Sequence, residues 1–139
     1  MNLLASNEMN AFLGYQQLAL IAKANAFDEL AAFFAREAQD ELIDYNALAD
    51  YCINCKLEIT FKLCECAFSC STVRELLELA HTLEKKIGEG INAAYSISSR
   101  ADQIFLDQFV LKQVNEVAKY ERLLMREKLL GAVFLSTLK

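Results

Sequence analysis

A chain of 139 residues, 55% hydrophobic and 24% charged, is long enough to bury one proper core, so a single domain over 1–139 is expected. Its net charge of −5 argues against a nucleic-acid partner, which wants a basic face, and no apolar run of about 18 residues offers a membrane span. No basic-then-apolar leader opens the chain, and five cysteines cannot all pair, so a reducing, cytoplasmic setting is expected.

Proline is absent and glycine occurs four times, which leaves little to interrupt long helices. From about Asn2 to Asn25, Phe12, Tyr15, Ala19 and Ala22 recur at helical spacing, and the same face extended backwards reaches Glu8. Asn25-Ala26-Phe27-Asp28 is the expected break, with Asp28 as cap. A second helix should run from Asp28 to Asn54, and the short connection makes the pair antiparallel. Its apolar stripe is Leu30, Phe34, Ala38 and Leu48, and Glu41 and Asp44 fall on it, three residues apart and one above the other.

Between Cys55 and Ser71 the period changes. Leu57, Ile59, Phe61 and Leu63 alternate with Glu58, Thr60 and Lys62, the pattern of an extended segment. It is too short for a sheet of its own and reads as a long crossover along the bundle, with a second subunit as a candidate neighbour. Thr72 with Glu75 is a capping box opening a third helix to about Ser98. Its stripe is Leu77, Ala80, Ile87 and Ile91, with Glu84 between; Gly88 and Gly90 weaken it locally and suggest close packing. After a break at 99–102, capped by Ser99 or Asp102, a fourth helix should reach Leu130, where Gly131 can end it. Phe105, Phe109, Tyr120 and Leu124 form its stripe, with Gln113 and Glu116 between them. The tail, 132–139, has room for at most a short fifth helix.

The fold class expected is therefore all-α: an antiparallel four-helix bundle with one long crossover between helices two and three. Each helix carries an acid or amide at mid-length on its apolar face: Glu8; Glu41 with Asp44; Glu84; Gln113 with Glu116. Buried charge is costly unless paired. One carboxylate from each of two helices and an i, i+3 pair from each of the others is the ligand pattern of di-iron carboxylate bundles, and hard oxygen ligands suit iron or manganese. Lysines do not account for the set: Lys112 should point elsewhere on its helix, leaving Lys23 and Lys119 as stripe neighbours.

The chain resembles the ferritin family over about its first 130 residues. Asn7-Glu8-Met9-Asn10-Ala11 with Tyr15 is similar to the first-helix motif of bacterioferritins. The run from Phe33 to Glu41 is similar to the second helix of non-haem bacterial ferritins. Leu83-Glu84-Lys85 and Phe105-Leu106-Asp107-Gln108-Phe109-Val110, leading to Gln113 and Glu116, resemble the third and fourth helices. The resemblance implies a ferroxidase that oxidises Fe(II) with oxygen or peroxide and stores Fe(III) in a homo-oligomeric shell. Glu8, Glu41, Asp44, Glu84, Gln113 and Glu116 would be its metal positions, with Tyr15 as the tyrosine beside them and the candidate catalytic side chain. Two departures stand out: Asp44 occupies the place of the family's usual histidine, and Leu42 that of the methionine which holds haem in bacterioferritins, so no haem is expected.

Other readings stay open. A ferritin-like di-metal oxidase or peroxidase would share the ligands without a shell. A DNA-protecting mini-ferritin would want a basic tail, and this one ends in a single Lys139. A catalytically degenerate bundle, acting as an interaction protein, would keep its acids protonated or salt-bridged. For any one acid the plain alternative is a solvated or salt-bridged residue, and for Tyr15 a core aromatic. His81 lies off the main stripe and is expected at the surface. Cys52, Cys55, Cys64, Cys66 and Cys70 are irregularly spaced and read as small hydrophobes more readily than as a metal site.

Overall fold

Residues with strong helix propensity and apolar positions every third or fourth residue give four long helices in the computed structural model, which describes residues 1–59, 62 and 68–138. They are α1 (Asn2–Ala24), α2 (Asp28–Asn54), α3 (Val73–Ile97) and α4 (Arg100–Leu130), closed by a 3₁₀ turn over Gly131–Thr137. The described residues contain no strand. This is the all-α architecture expected, with the one long connection between α2 and α3.

Local chemistry fixes the boundaries. Thr72 Oγ1 accepts the Glu75 backbone N–H at 3.1 Å and donates to Glu75 Oε1 at 3.0 Å, so the third helix opens on its capping box. Ser99, rather than Asp102, caps α4 by accepting the Asp102 N–H at 3.2 Å. Gly131, at φ 54°, ends α4 in the left-handed region that favours glycine. The start of α2 differs from expectation. Ala26 turns through φ 60°, the Phe27 N–H bonds back to Ala22 O at 2.9 Å, and the Phe27 ring packs on the core. Phe27 therefore takes the cap position, and Asp28 becomes the first helical residue, where its charge faces the helix dipole.

All four neighbouring pairs run antiparallel. The Lys112–Asp44, Lys119–Glu37 and Tyr51–Asp102 bonds pair ascending positions of α2 with descending positions of α4. Contacts of α3 with α4 run the same way, from Arg74–Glu127 to Tyr95–Asp107. A Cβ on Gly90 would lie 2.7 Å from Asn7 Nδ2 and one on Gly88 3.3 Å from Gln113 Cγ, so the glycines do mark close packing. The crossover is tied to α1 where Asn10 donates to Lys62 O at 3.1 Å. Of the expected alternation, Thr60, Phe61 and Leu63 lie outside the described residues; Leu57–Ile59 and Lys62 carry no regular structure.

The described apolar core has two halves. One gathers Tyr15, Leu18, Leu30, Phe34, Leu76, Leu77, Tyr120 and the tail's Phe134; the other gathers Leu4, Leu48, Ile87, Ile91, Leu106 and Phe109. Following α2, α3 or α4 from one half to the other crosses positions singled out in the sequence, Glu41 with Asp44, Glu84, and Gln113 with Glu116; on α1, Glu8 lies within the second half, between Leu4 and Ala11. A polar layer thus crosses the bundle at mid-height.

Candidate metal centre

Because the helices are antiparallel, the acids at mid-length of α2, α3 and α4 meet Glu8, from the second turn of α1, in that layer. Glu8, Glu41, Glu84 and Gln113 are buried, Glu84 completely so at 0% exposure. Asp44 and Glu116 sit at its edge, their side chains 15% and 19% exposed. The acids form two groups, each with carboxylate oxygens within 4.8 Å of one another: Glu8, Glu41 and Asp44 in the first; Glu37, Glu84 and Glu116 in the second.

Glu84 is held from two sides. The Tyr15 hydroxyl donates to its Oε1 at 2.5 Å. The Gln113 amide donates to its Oε2 and to its backbone carbonyl, each at 2.7 Å. In this arrangement Gln113 acts as a donor that fixes Glu84. Tyr15 is buried against Phe34, with ring centroids 6.0 Å apart, and stacks on Tyr120 at 6.3 Å.

Six carboxyl groups in one layer cannot all stay ionised without countercharge. Burial pushes Glu84 up to about 8; the neighbouring Glu41 adds to the rise, and the bonds from Tyr15 and Gln113 oppose it. Burial likewise lifts Glu37 to about 7, against the pull of Lys119. Glu8 and Glu41 are both raised, chiefly by burial, and the hydrogen bond between them holds a proton on the pair. Asp44 is raised by burial, with Lys112 pulling the other way.

Three features depart from the sequence reading. Lys112 does reach the layer: its ammonium lies 2.5 Å from Asp44 Oδ2. Lys112 stands three residues after Phe109 and four before Glu116, at the edge of the α4 stripe, and its long stem carries the ammonium across to α2. Lys119, expected only as a stripe neighbour, lies 2.5 Å from both Glu37 Oε1 and Glu116 Oε2. Glu37 itself was missed, although it stands one turn before Glu41 and three residues after Phe34, on the same face.

His81 is partly buried rather than at the surface, its side chain 19% exposed and Nε2 3.7 Å from Glu121; α4 packs over that flank of α3. Cys52 is buried, Cys70 half-buried and Cys55 exposed, all three unpaired; Cys64 and Cys66 lie outside the described residues. Among the described residues, the groups of His, Cys, Asp or Glu close enough to share an ion are the two carboxylate groups.

The donor set suits a hard cation, since every candidate ligand atom is oxygen. Glu8 Oε2 and Glu116 Oε2 are both buried without a hydrogen-bond partner, acceptors that a cation would satisfy; Lys119 already lies 2.5 Å from the second, which leaves Glu8 Oε2 as the clearer mark of fit. The second group is partly neutralised by Lys119.

A bundle of four antiparallel helices with acids from all four meeting at mid-height defines the ferritin-like class. The family model of the Ferritin-like domain matches residues 1–130, and the chain belongs to the ferritin family. It is similar in structure to apo-ferritin from Pseudo-nitzschia multiseries, with a TM-score of 0.87 and 20% identity, covering 99% of this chain and 92% of that one. It is also similar to two PmFTN variants soaked overnight in iron. For a glutamate-to-alanine variant the TM-score is 0.87 at 20% identity over 97% and 92% of the two chains. For a glutamate-to-glutamine variant it is 0.88 at 20% identity over 99% and 92%. At that identity the likeness concerns the fold. No curated protein matches the chain. No helix among the described residues is long and apolar enough to cross a membrane.

Proposed function

We propose that the chain is an iron-storage ferritin that takes Fe(II) as substrate on the mid-height carboxylates, oxidises it and collects the ferric product in a homo-oligomeric shell in the cytoplasm. The observation that carries this reading is the meeting of two carboxylate trios inside a bundle, one of them with a buried oxygen, Glu8 Oε2, that has neither a hydrogen-bond partner nor a lysine against it. Glu8, Glu41 and Asp44 would hold one ion. Glu84 and Glu116 would hold a second, with Glu37 joining them and Gln113 adding its amide oxygen if the amide turns. Tyr15 would keep the Glu84 carboxylate aimed inward.

Two Fe(II) ions would each give up one electron. Dioxygen accepting both, with two protons, would leave as hydrogen peroxide; peroxide serving as oxidant would leave as water. Carboxylates favour the ferric state because a harder, more highly charged ion gains more from anionic oxygen. Exchange of iron for the shared proton on Glu8 and Glu41 would release that proton as the ion enters.

The test is aerobic oxidation of Fe(II) by purified protein, followed by absorbance of the ferric product. Glu41→Ala and Glu84→Ala should each slow it by about tenfold or more. Rates unchanged in both variants would remove the basis of the reading. Size-exclusion mass separates a storage shell from a small oxidase. A second reading has one observation in its favour: Lys112 and Lys119 already neutralise part of the acid layer, as in a bundle that takes no metal. Purified protein with no bound iron and no thermal stabilisation by Fe(II) would favour that degenerate bundle.

A further inference from the structure

The two carboxylate groups are not equivalent, and lysine makes the difference. In the first group the only cation among the described residues is Lys112, and it touches the outer member, Asp44. Glu8 and Glu41 face each other without a cation of their own, and Glu8 Oε2 is left without a partner. In the second group the Lys119 ammonium lies between Glu37 and Glu116, 2.5 Å from an oxygen of each. Its charge is further supported by the rings of Phe33 and Tyr120, whose centroids are 5.7 and 5.5 Å away.

A divalent ion bound to oxygens of Glu37 and Glu116 would sit where this ammonium sits. The two positive charges repel, and both want the same lone pairs. They cannot share the place, so one must leave. The Lys119 side chain is 29% exposed, which gives its flexible stem a way out to water without unfolding the helix.

We infer that Lys119 is a built-in competitor for the second carboxylate group, its ammonium holding the place between Glu37 and Glu116 until an incoming divalent cation displaces it, so that the two groups fill in order, Glu8–Glu41–Asp44 first. This rests on the reading of both groups as cation sites. Its consequence is that one chain holds a single ion over a range of concentrations before it holds two. A pair of ions ready for joint oxidation then forms only when Fe(II) is plentiful.

The experiment is an anaerobic titration of the full chain with Mn(II), counting unbound ion by its EPR signal. The wild-type protein should bind one ion per chain tightly and a second more weakly. Lys119→Met should tighten the second step by about tenfold or more, the scale of a close charge contact inside a protein. Lys119→Arg, which keeps the cation, should retain the two-step curve. Circular dichroism establishes that each variant is folded, and Lys119→Gln replaces the methionine variant if that one is not. Anomalous scattering from wild-type crystals with one Mn(II) per chain should place the ion at Glu8 and Glu41. Two equal steps in the wild type, with the second step unmoved within about twofold in Lys119→Met, would overturn the inference and leave both groups standing as cation sites. A first ion at Glu37 and Glu116 would overturn it as well. No bound ion in any of the chains would instead bring down the reading beneath it.

Discussion

The Tyr15 hydroxyl donates a hydrogen bond of 2.5 Å to Oε1 of Glu84, joining α1 to α3 inside the polar layer. It offsets part of the cost of burying that carboxyl and helps to fix its direction. Tyr15→Phe would keep the ring contacts with Phe34 and Tyr120 and lose only the donor. The expected cost is about 1–3 kcal/mol, because a buried acceptor is left unsatisfied. Urea denaturation of the metal-free protein measures it. A change smaller than about 0.5 kcal/mol would mean that water replaces the hydroxyl.

Stability of the metal-free protein should fall as pH rises. Burial raises Glu37 to about 7 and Glu84 to about 8, so the folded chain binds protons that the unfolded chain releases near the ordinary carboxylate value. For a carboxyl shifted upward, the stabilisation is complete below the unfolded pKa and disappears as pH climbs through the folded one. The melting temperature should therefore decline from about pH 5 to about pH 8. A melting temperature that climbs across this range would contradict the ionisation described for the layer.

Glu84→Gln separates charge from shape. The amide cannot ionise, so at about pH 8 the metal-free variant should be more stable than the parent, while at about pH 5 the two should be close. Gln113 must then meet an amide in place of a carboxylate, and its own amide can turn to do so. The same variant should lose the second ion in a metal titration. Paired thermal melts at the two pH values, with and without Mn(II), read both effects.

Iron or manganese should act as a structural ligand. At a free-ion concentration about a hundred times its dissociation constant, a single bound ion adds about 2.7 kcal/mol to folding stability. A chelator should reverse that gain. Glu41→Ala should lose the part contributed by the first group, which differential scanning calorimetry with and without metal can resolve.

Much of this was legible in the chain because helical periodicity and the acids share one register. Glu8, Glu41, Glu84 and Gln113 fall on apolar stripes, and the fold buries all four. Stripe arithmetic handles residues whose side chains follow the direction of their Cβ. Lys112 was misplaced by a miscount of that arithmetic, since it lies three residues after Phe109 and four before Glu116 and reaches Asp44 from the edge of the same face. Glu37 could have been found by the same arithmetic, since it lies four residues before Glu41. The Asp28 cap was misjudged because a half-buried ring, Phe27, packed on the core and decided the turn over the capping preference of its neighbour. Pairing of Lys119 with Glu116 is a local i, i+3 contact, but its pairing with Glu37 depends on the antiparallel register of α2 and α4, which no local pattern encodes.

The division of the core has a consequence for motion. Apolar packing is strong above and below the acids and interrupted between them, so the empty bundle should breathe at its waist rather than only fray at its tips. Amide protons around Glu41 and Glu84 should then exchange with deuterium sooner than those around Leu76 or Leu106, although they lie at the centre of their helices. Cation loading should slow exchange at the waist and leave the two apolar ends almost unchanged.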